Sequence, residues 1–243
     1  MEPVVVILMV AAVAAVVIAV AMAEHRAERA RTAAVAAVAA REGWEFAAEK
    51  DTGFPKRFGQ FEVFTRGHTR SAFNTMRGAI EVWGERVSFQ SGDYRYAITR
   101  STGKTTTTQT YKISYIVALV PFAVPDVTIR PEGFLDSIAG ALGFDDIDFE
   151  DVEFSKRFHV KSPDRRFAYD LCHPRMIEFL KERYASGPPI AIARGVICFF
   201  SDKRWEPEMF VRRAGAVREF FEMWPNHLVR DLASRAGGEG VAR

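Results

Sequence analysis

The stretch Met76-Arg77-Gly78-Ala79-Ile80-Glu81-Val82-Trp83-Gly84-Glu85-Arg86-Val87-Ser88-Phe89 decides the fold. Met76, Gly78, Ile80 and Val82 recur at every second position, the spacing that puts side chains on one face of a strand. Gly84-Glu85 suits a two-residue hairpin turn with Gly first, and Val87 and Phe89 lead down the return strand. Further on, Gly92-Asp93 reads as a bulge or second bend, after which Tyr94, Tyr96 and Ile98 resume the alternation. A turn at Ser101 to Lys104 leads into Thr105 to Val120. That segment is dense in β-branched and aromatic residues, among them Thr106, Tyr111, Ile113, Tyr115, Val117 and Leu119. Three or four antiparallel strands are therefore expected in succession.

Working outward, Trp44-Glu45-Phe46 opens a first strand and Glu49 to Gly59 is a polar loop. Phe61, Val63 and Phe73 mark a return to extended chain. Downstream, Val127 to Ile129 is a short strand, Phe134 to Leu142 a short helix ending at Gly143, and Phe158 to Lys161 a strand. Ser162-Pro163 offers an N-cap followed by Pro at the first helical position. Pro174 opens a helix whose Met176, Ile177, Leu180 and Tyr184 form a buried stripe. Two strands follow, Ile190 to Ala193 and Val196 to Phe200. The closing helix, about Pro207 to Met223, carries Phe210, Val211, Ala214, Val217, Phe220, Phe221 and Trp224 as an apolar stripe. A shorter helix surrounds Leu228 to Leu232. The expected fold is α+β, a mainly antiparallel sheet covered by a long C-terminal helix. The element order resembles a pleckstrin-homology-like barrel; a plain open sheet covered by helices is the alternative.

The N-terminus reads differently. Val4 to Ala23 is a run of twenty residues without charge, Gly or Pro. A helix of that length rises about 30 Å, the thickness of a hydrocarbon core. No Lys or Arg precedes the run, whereas Arg26, Arg29 and Arg31 follow it, which places the rest of the chain on the cytoplasmic side. Ala21-Met22-Ala23 resembles a signal-peptidase site, but the run is long for a signal peptide and lacks a positive n-region. Glu24 to Glu42 continues as an Ala-rich helical stalk ending at Gly43, with Ala27, Ala30, Ala34, Val35 and Val38 on one side. The resulting organisation is 1–23 transmembrane helix, 24–42 stalk, 43–235 globular domain and 236–243 flexible tail. The localisation expected is the cell membrane, single-pass, with the globular domain cytoplasmic. Arg26, Arg29 and Arg31 are candidate contacts to lipid headgroups, or simply topology determinants.

The chain has 243 residues, a formal charge of +2 and 48% hydrophobic residues. That apolar content suffices for a core, and the interspersed charges argue against nucleic acid as a partner. Cys172 and Cys198 are too few for a disulfide framework and match no zinc spacing. Gly103-Lys104-Thr105 looks like the end of a phosphate loop, but Ile98 stands where that pattern needs Gly. In Asp145-Asp146-Ile147-Asp148-Phe149-Glu150-Asp151, the alternating Asp146, Asp148 and Glu150 share one face of an extended chain, with Ile147 and Phe149 on the other. Such carboxylates could meet a hard cation, yet there is no EF-hand pattern. The reading is a solvated acidic face, a candidate polar interaction surface, and no metal, cofactor or catalytic residue is assigned. His159, His173 and Cys172 lack further ligands at metal-site spacing.

Phe89…Asp93-Tyr94-Arg95-Tyr96, Arg130-Pro131-Glu132-Gly133, Gly143 to Glu150 and His173-Pro174-Arg175-Met176 resemble blocks of an uncharacterised bacterial family of single-pass membrane-anchored proteins of unknown function. The resemblance spans Gly43 to about Trp224 and implies an anchor with one domain, with no activity attached. The function expected is a non-enzymatic interaction or scaffold module at the membrane, its partners the bilayer and a protein. Alternatives are a ligand or lipid-headgroup sensor and a metal-assisted hydrolase.

Overall fold

The computed structural model describes residues 3–134, 145–185 and 187–239. Eight strands form one antiparallel sheet in the order β1-β2-β3-β4-β8-β7-β5-β6. They are β1 (Glu45–Ala47), β2 (His68–Val82), β3 (Glu85–Ser101), β4 (Thr106–Leu119), β5 (Val127–Pro131), β6 (Phe158–Lys161), β7 (Ile190–Ala193) and β8 (Val196–Phe200). The helices are α1 (Pro3–Glu42), α2 (Phe54–Arg57), α3 (Val152–Arg157), α4 (Arg165–Leu171), α5 (Pro174–Tyr184), α6 (Met209–Glu222) and α7 (Asn226–Glu239). A 3-10 turn covers Glu62–Phe64. The α+β class and antiparallel sheet are as expected. The sheet is open, with β1 and β6 at its edges, so the pleckstrin-homology-like barrel gives way to the open-sheet alternative. Of the helix expected from Phe134 to Leu142, all but Phe134 lies outside the described residues.

The central hairpin forms one residue earlier than its sequence suggests. Trp83 and Gly84, at φ 55° and 79°, are the two turn residues, and Val82 pairs with Glu85. Positive φ at both positions is the type I′ geometry, whose twist matches the strands. Trp83 tolerates it because its ring stacks on Phe122 at 5.3 Å and meets Phe221 at 5.3 Å. The bend anticipated at Gly92-Asp93 is absent from β3, which runs unbroken. The bulge lies opposite, in β2, where the register shifts between Phe73 and Met76 and Asn74 takes φ 48°. Gly92 is needed there: a Cβ would stand 2.9 Å from the Asn74 carbonyl oxygen and 3.0 Å from that of Phe73.

Alternation gives the sheet two apolar faces. Met76, Val82, Phe89, Ile116, Ile190, Ile192, Ile197 and Phe199 share a core with the helices, including Phe210, Val217 and Phe221 of α6. All of α5's expected stripe is buried, and α6 buries Phe210, Ala214, Val217, Phe220 and Phe221. The other face carries Tyr94, Tyr96, Ile113, Tyr115, Val117, Cys198 and Phe200. Both cysteines are buried free thiols; burial pushes the Cys172 thiol up to about 12. The helix after β6 is capped two residues later than expected: Asp164 accepts from the Phe167 N–H, while Ser162 Oγ donates to the Asp126 carbonyl. Likewise α7 runs to Glu239, past the start of the expected tail.

The N-terminal reading needs correction. Among the described residues, no helix is long and apolar enough to cross a membrane. The apolar run of α1 extends no further than Ala23. Glu24, Arg26 and Glu28 then interrupt it. The transmembrane helix, the single-pass cell-membrane localisation with a cytoplasmic domain, and the bilayer as partner are therefore not upheld. Residues 24–42 continue α1 without a break. The second half of α1 lies on the sheet, with Val35 and Ala39 in the core. It ends as foreseen at Gly43, whose φ is 69°. Hydrogen bonds from Trp44 N to Ala39 O (2.8 Å) and from Gly43 N to Ala40 O (3.3 Å) close the helix.

Candidate functional site

Among the described residues, two polar clusters and a pair of adjoining clefts bring together side chains from several elements. The first cluster docks α1. Arg31 donates two hydrogen bonds to Asp93, from Nε to Oδ2 at 2.8 Å and from Nη2 to Oδ1 at 2.7 Å. Asn74 Nδ2 and Ser114 Oγ donate to the same carboxylate at 3.0 and 2.8 Å. Thr32 Oγ1 donates to Asn74 Oδ1, and the Trp205 N–H to Ser114 Oγ. One turn earlier, Glu28 accepts from Lys112 of β4 and Arg204. Burial works against the Glu28 charge, but these two hydrogen bonds outweigh it and hold the carboxyl below its ordinary value. Arg31 is thus occupied inside the fold, whereas Arg26 and Arg29 are exposed.

The second cluster contains part of the acidic stretch. Asp146 Oδ2 meets His159 Nδ1 at 2.8 Å, and the other ring nitrogen meets Glu132 Oε2 at 2.5 Å. Lys161 Nζ stands 3.8 Å from Asp146. Asp148 and Glu150 are exposed and not joined to this group, while Ile147 is buried and Phe149 half-buried. The two His159 contacts leave from opposite sides of the ring, so one ion cannot be shared by all three residues. Among the described residues no cluster of His, Cys, Asp or Glu is arranged to hold a metal.

The clefts open on the second face of the sheet. The segment from Asp51 to Arg66, expected as a loop and then a strand, instead plugs the middle of this face. Asp51 pairs with Ala72 as a β-bridge, and its carboxylate accepts from the N–H groups of Gly53 and Phe54. A hydrogen bond from Arg57 holds that carboxyl below its usual range. Phe54 then sits 4.5 Å from the Tyr115 ring and 4.9 Å from Phe64. The Tyr94 hydroxyl, its ionisation suppressed by burial, donates to the Phe64 carbonyl at 2.7 Å. Sequence reasoning missed this plug, although Phe54, Phe58, Phe61 and Phe64 recur at the three- and four-residue spacing of a helical turn.

On either side of the plug, the described residues of this face leave a cleft. The first cleft, ≈ 250 Å³, has small side chains on its floor, Thr128, Ala191 and Ala193. Gln60, Glu62, Asp126 and Arg194 stand around it. The second, ≈ 260 Å³, is floored by Tyr96, Ile98, Tyr111 and Ile113, with Arg66, Arg100 and Asp202 also lining it. Val63 and Phe200 border both, so the two adjoin. Together they reach the size of small-molecule sites, roughly 300–1,000 Å³. The room exists because the floor of the first cleft is made of small residues, whereas the neighbouring strands fill the same face with Tyr94, Tyr115 and Phe200.

The architecture is thus a one-sheet α+β domain with helices packed over one face and adjoining clefts on the other. The same fold occurs in the crystal structure of the mycobacterial trehalose monomycolate transport factor A, TtfA, with a TM-score of 0.56 over 81% of this chain and 97% of that one. Sequence identity is 13%, so the likeness is one of fold alone. No family model and no curated protein matches the chain. The expected resemblance to a single-pass membrane-anchored family is thereby replaced by a structural likeness to a transport factor.

Proposed function

We propose that the chain is a binding domain that holds a lipid or glycolipid on the second face of its sheet, the ligand-sensing alternative among the functions considered above. The pair of adjoining clefts carries this reading, because apolar floors with a few charged side chains at the edge are the usual make-up of a site for an amphiphilic small molecule. The role in the name of TtfA, transport of a trehalose-linked lipid, supports the ligand class. Helices pack over the first face, and the clefts of the second, floored by small, aromatic and branched side chains, offer the surface for a ligand. A ligand that binds only the folded chain raises its melting temperature in a saturable way. Trehalose monolaurate, added below its micelle concentration to the full chain, should do so, and Ala191→Leu with Ile98→Trp together should abolish the shift. No shift in the wild type, or an equal shift in the double variant, would sink the proposal.

A further inference from the structure

We infer that the two clefts divide one amphiphile between them, a neutral sugar-like head in the first and an acyl chain in the second. This rests on the binding-domain reading above and specifies how its ligand lies. The first cleft offers both signs of charge and both hydrogen-bonding roles: the carboxylates of Glu62 and Asp126, the amide of Gln60, the hydroxyl of Thr128 and the guanidinium of Arg194. Each sugar hydroxyl is at once donor and acceptor, and such a mixed lining satisfies it. A bare carboxylate head would instead meet the carboxylate of Asp126, which repels it. Asp126 is held in place for the task. Its Oδ1 accepts the Arg194 N–H at 2.9 Å, and its carbonyl accepts the Ser162 hydroxyl at 2.7 Å.

The second cleft is built for a hydrocarbon. Tyr96 and Tyr111 are stacked at 5.1 Å, and Ile98, Ile113 and Phe134 complete an apolar trough beside them. One of its lining cations, Arg66, is engaged by Glu62 at 3.4 Å. Val63 and Phe200 form the ridge over which head and chain would join. The opposite orientation, a fatty acid with its carboxylate toward Arg66 and Arg100, is the competing arrangement.

Calorimetric titration of the full chain with trehalose monolaurate and with lauric acid separates the two. Ala191→Leu fills the first cleft and Ile98→Trp the second, and circular dichroism with thermal melts confirms that each variant folds. Thr128→Leu provides a second obstruction of the first cleft should Ala191→Leu not fold. Filling the first cleft should weaken trehalose monolaurate about tenfold, near the loss expected for two hydrogen bonds, and leave lauric acid within about twofold. Filling the second should weaken both. If filling the first cleft weakens both probes alike, or neither, or if lauric acid binds the wild type more tightly than its sugar ester, the division is wrong while the binding domain stands. If the wild type binds neither probe, the binding-domain reading itself fails.

Discussion

Arg31 and Asp93, sixty-two residues apart, meet through two parallel hydrogen bonds, with the carboxylate fully buried and the arginine side chain 13% exposed. This pair ties α1 to the sheet alongside the buried Val35 and Ala39. Removing one partner leaves the other charge uncompensated in the interior, at a cost of about 3–5 kcal/mol. Arg31→Ala should lower stability by that amount in urea unfolding. Replacing both, Arg31→Met with Asp93→Leu, should recover part of the loss, the remainder reflecting Asn74 and Ser114 left without their acceptor. A cost under 1 kcal/mol for Arg31→Ala would mean that α1 is held by Val35, Val38 and Ala39 alone.

Glu28 gives the dock a pH dependence. Its carboxyl lies below the ordinary value of 4.5 in the folded chain, so it binds protons more weakly there than when unfolded. Its contribution is complete above pH 4.5 and declines as the pH falls through the lower folded value. The melting temperature of the wild type should therefore drop more steeply below pH 4.5 than that of Glu28→Gln. Parallel curves would show that the Lys112 and Arg204 contacts do not contribute in solution.

Gly92 is required by the bulge facing it. The added methyl group of Gly92→Ala would press on backbone atoms of Phe73, Asn74 and Thr75, none of which can rotate away. A loss of about 1–3 kcal/mol is expected, the usual range for overpacking. Equal stability in chemical unfolding would indicate that β2 can shed its bulge.

The acidic stretch should be indifferent to divalent cations. Asp146 is paired with His159, and exposed pairs of this kind contribute roughly 0–1 kcal/mol. Replacing Asp146, Asp148 and Glu150 by Asn should change stability little. Millimolar Ca²⁺ or Mg²⁺ should leave the melting temperature of wild type and variant alike unmoved; a rise in the wild type alone would reveal an ion site.

What could be read from the residues and what could not divides along physical lines. Strands β7 and β8 were legible as short unbroken apolar runs, and α5 and α6 because each carries an apolar stripe in helical period. The docking of α1 was not, because its contact stripe begins with Glu28, Arg31 and Thr32, and a search for apolar periodicity passes over charged residues whose partners are 62 to 176 positions away. The turn at Trp83-Gly84 was displaced by one residue because a bulky aromatic at positive φ runs against local preference and is stabilised by Phe122 and Phe221. The clefts were invisible for a simpler reason. Ala191 and Ala193 look unremarkable in a strand, and the empty space above them depends on which residues the other strands place alongside.

Because α1 is a single uninterrupted helix, its docked half sets the bearing of its free half. The side chains of Val13, Val16, Val17 and Val20 stand exposed on that free portion. A helix transmits angle as well as distance, so a shift of the Arg31–Asp93 contact by a few ångströms would swing the far end through a much larger arc. Whatever engages that end is therefore presented with a fixed compass direction relative to the clefts, and loosening the dock would scramble orientation before it altered reach.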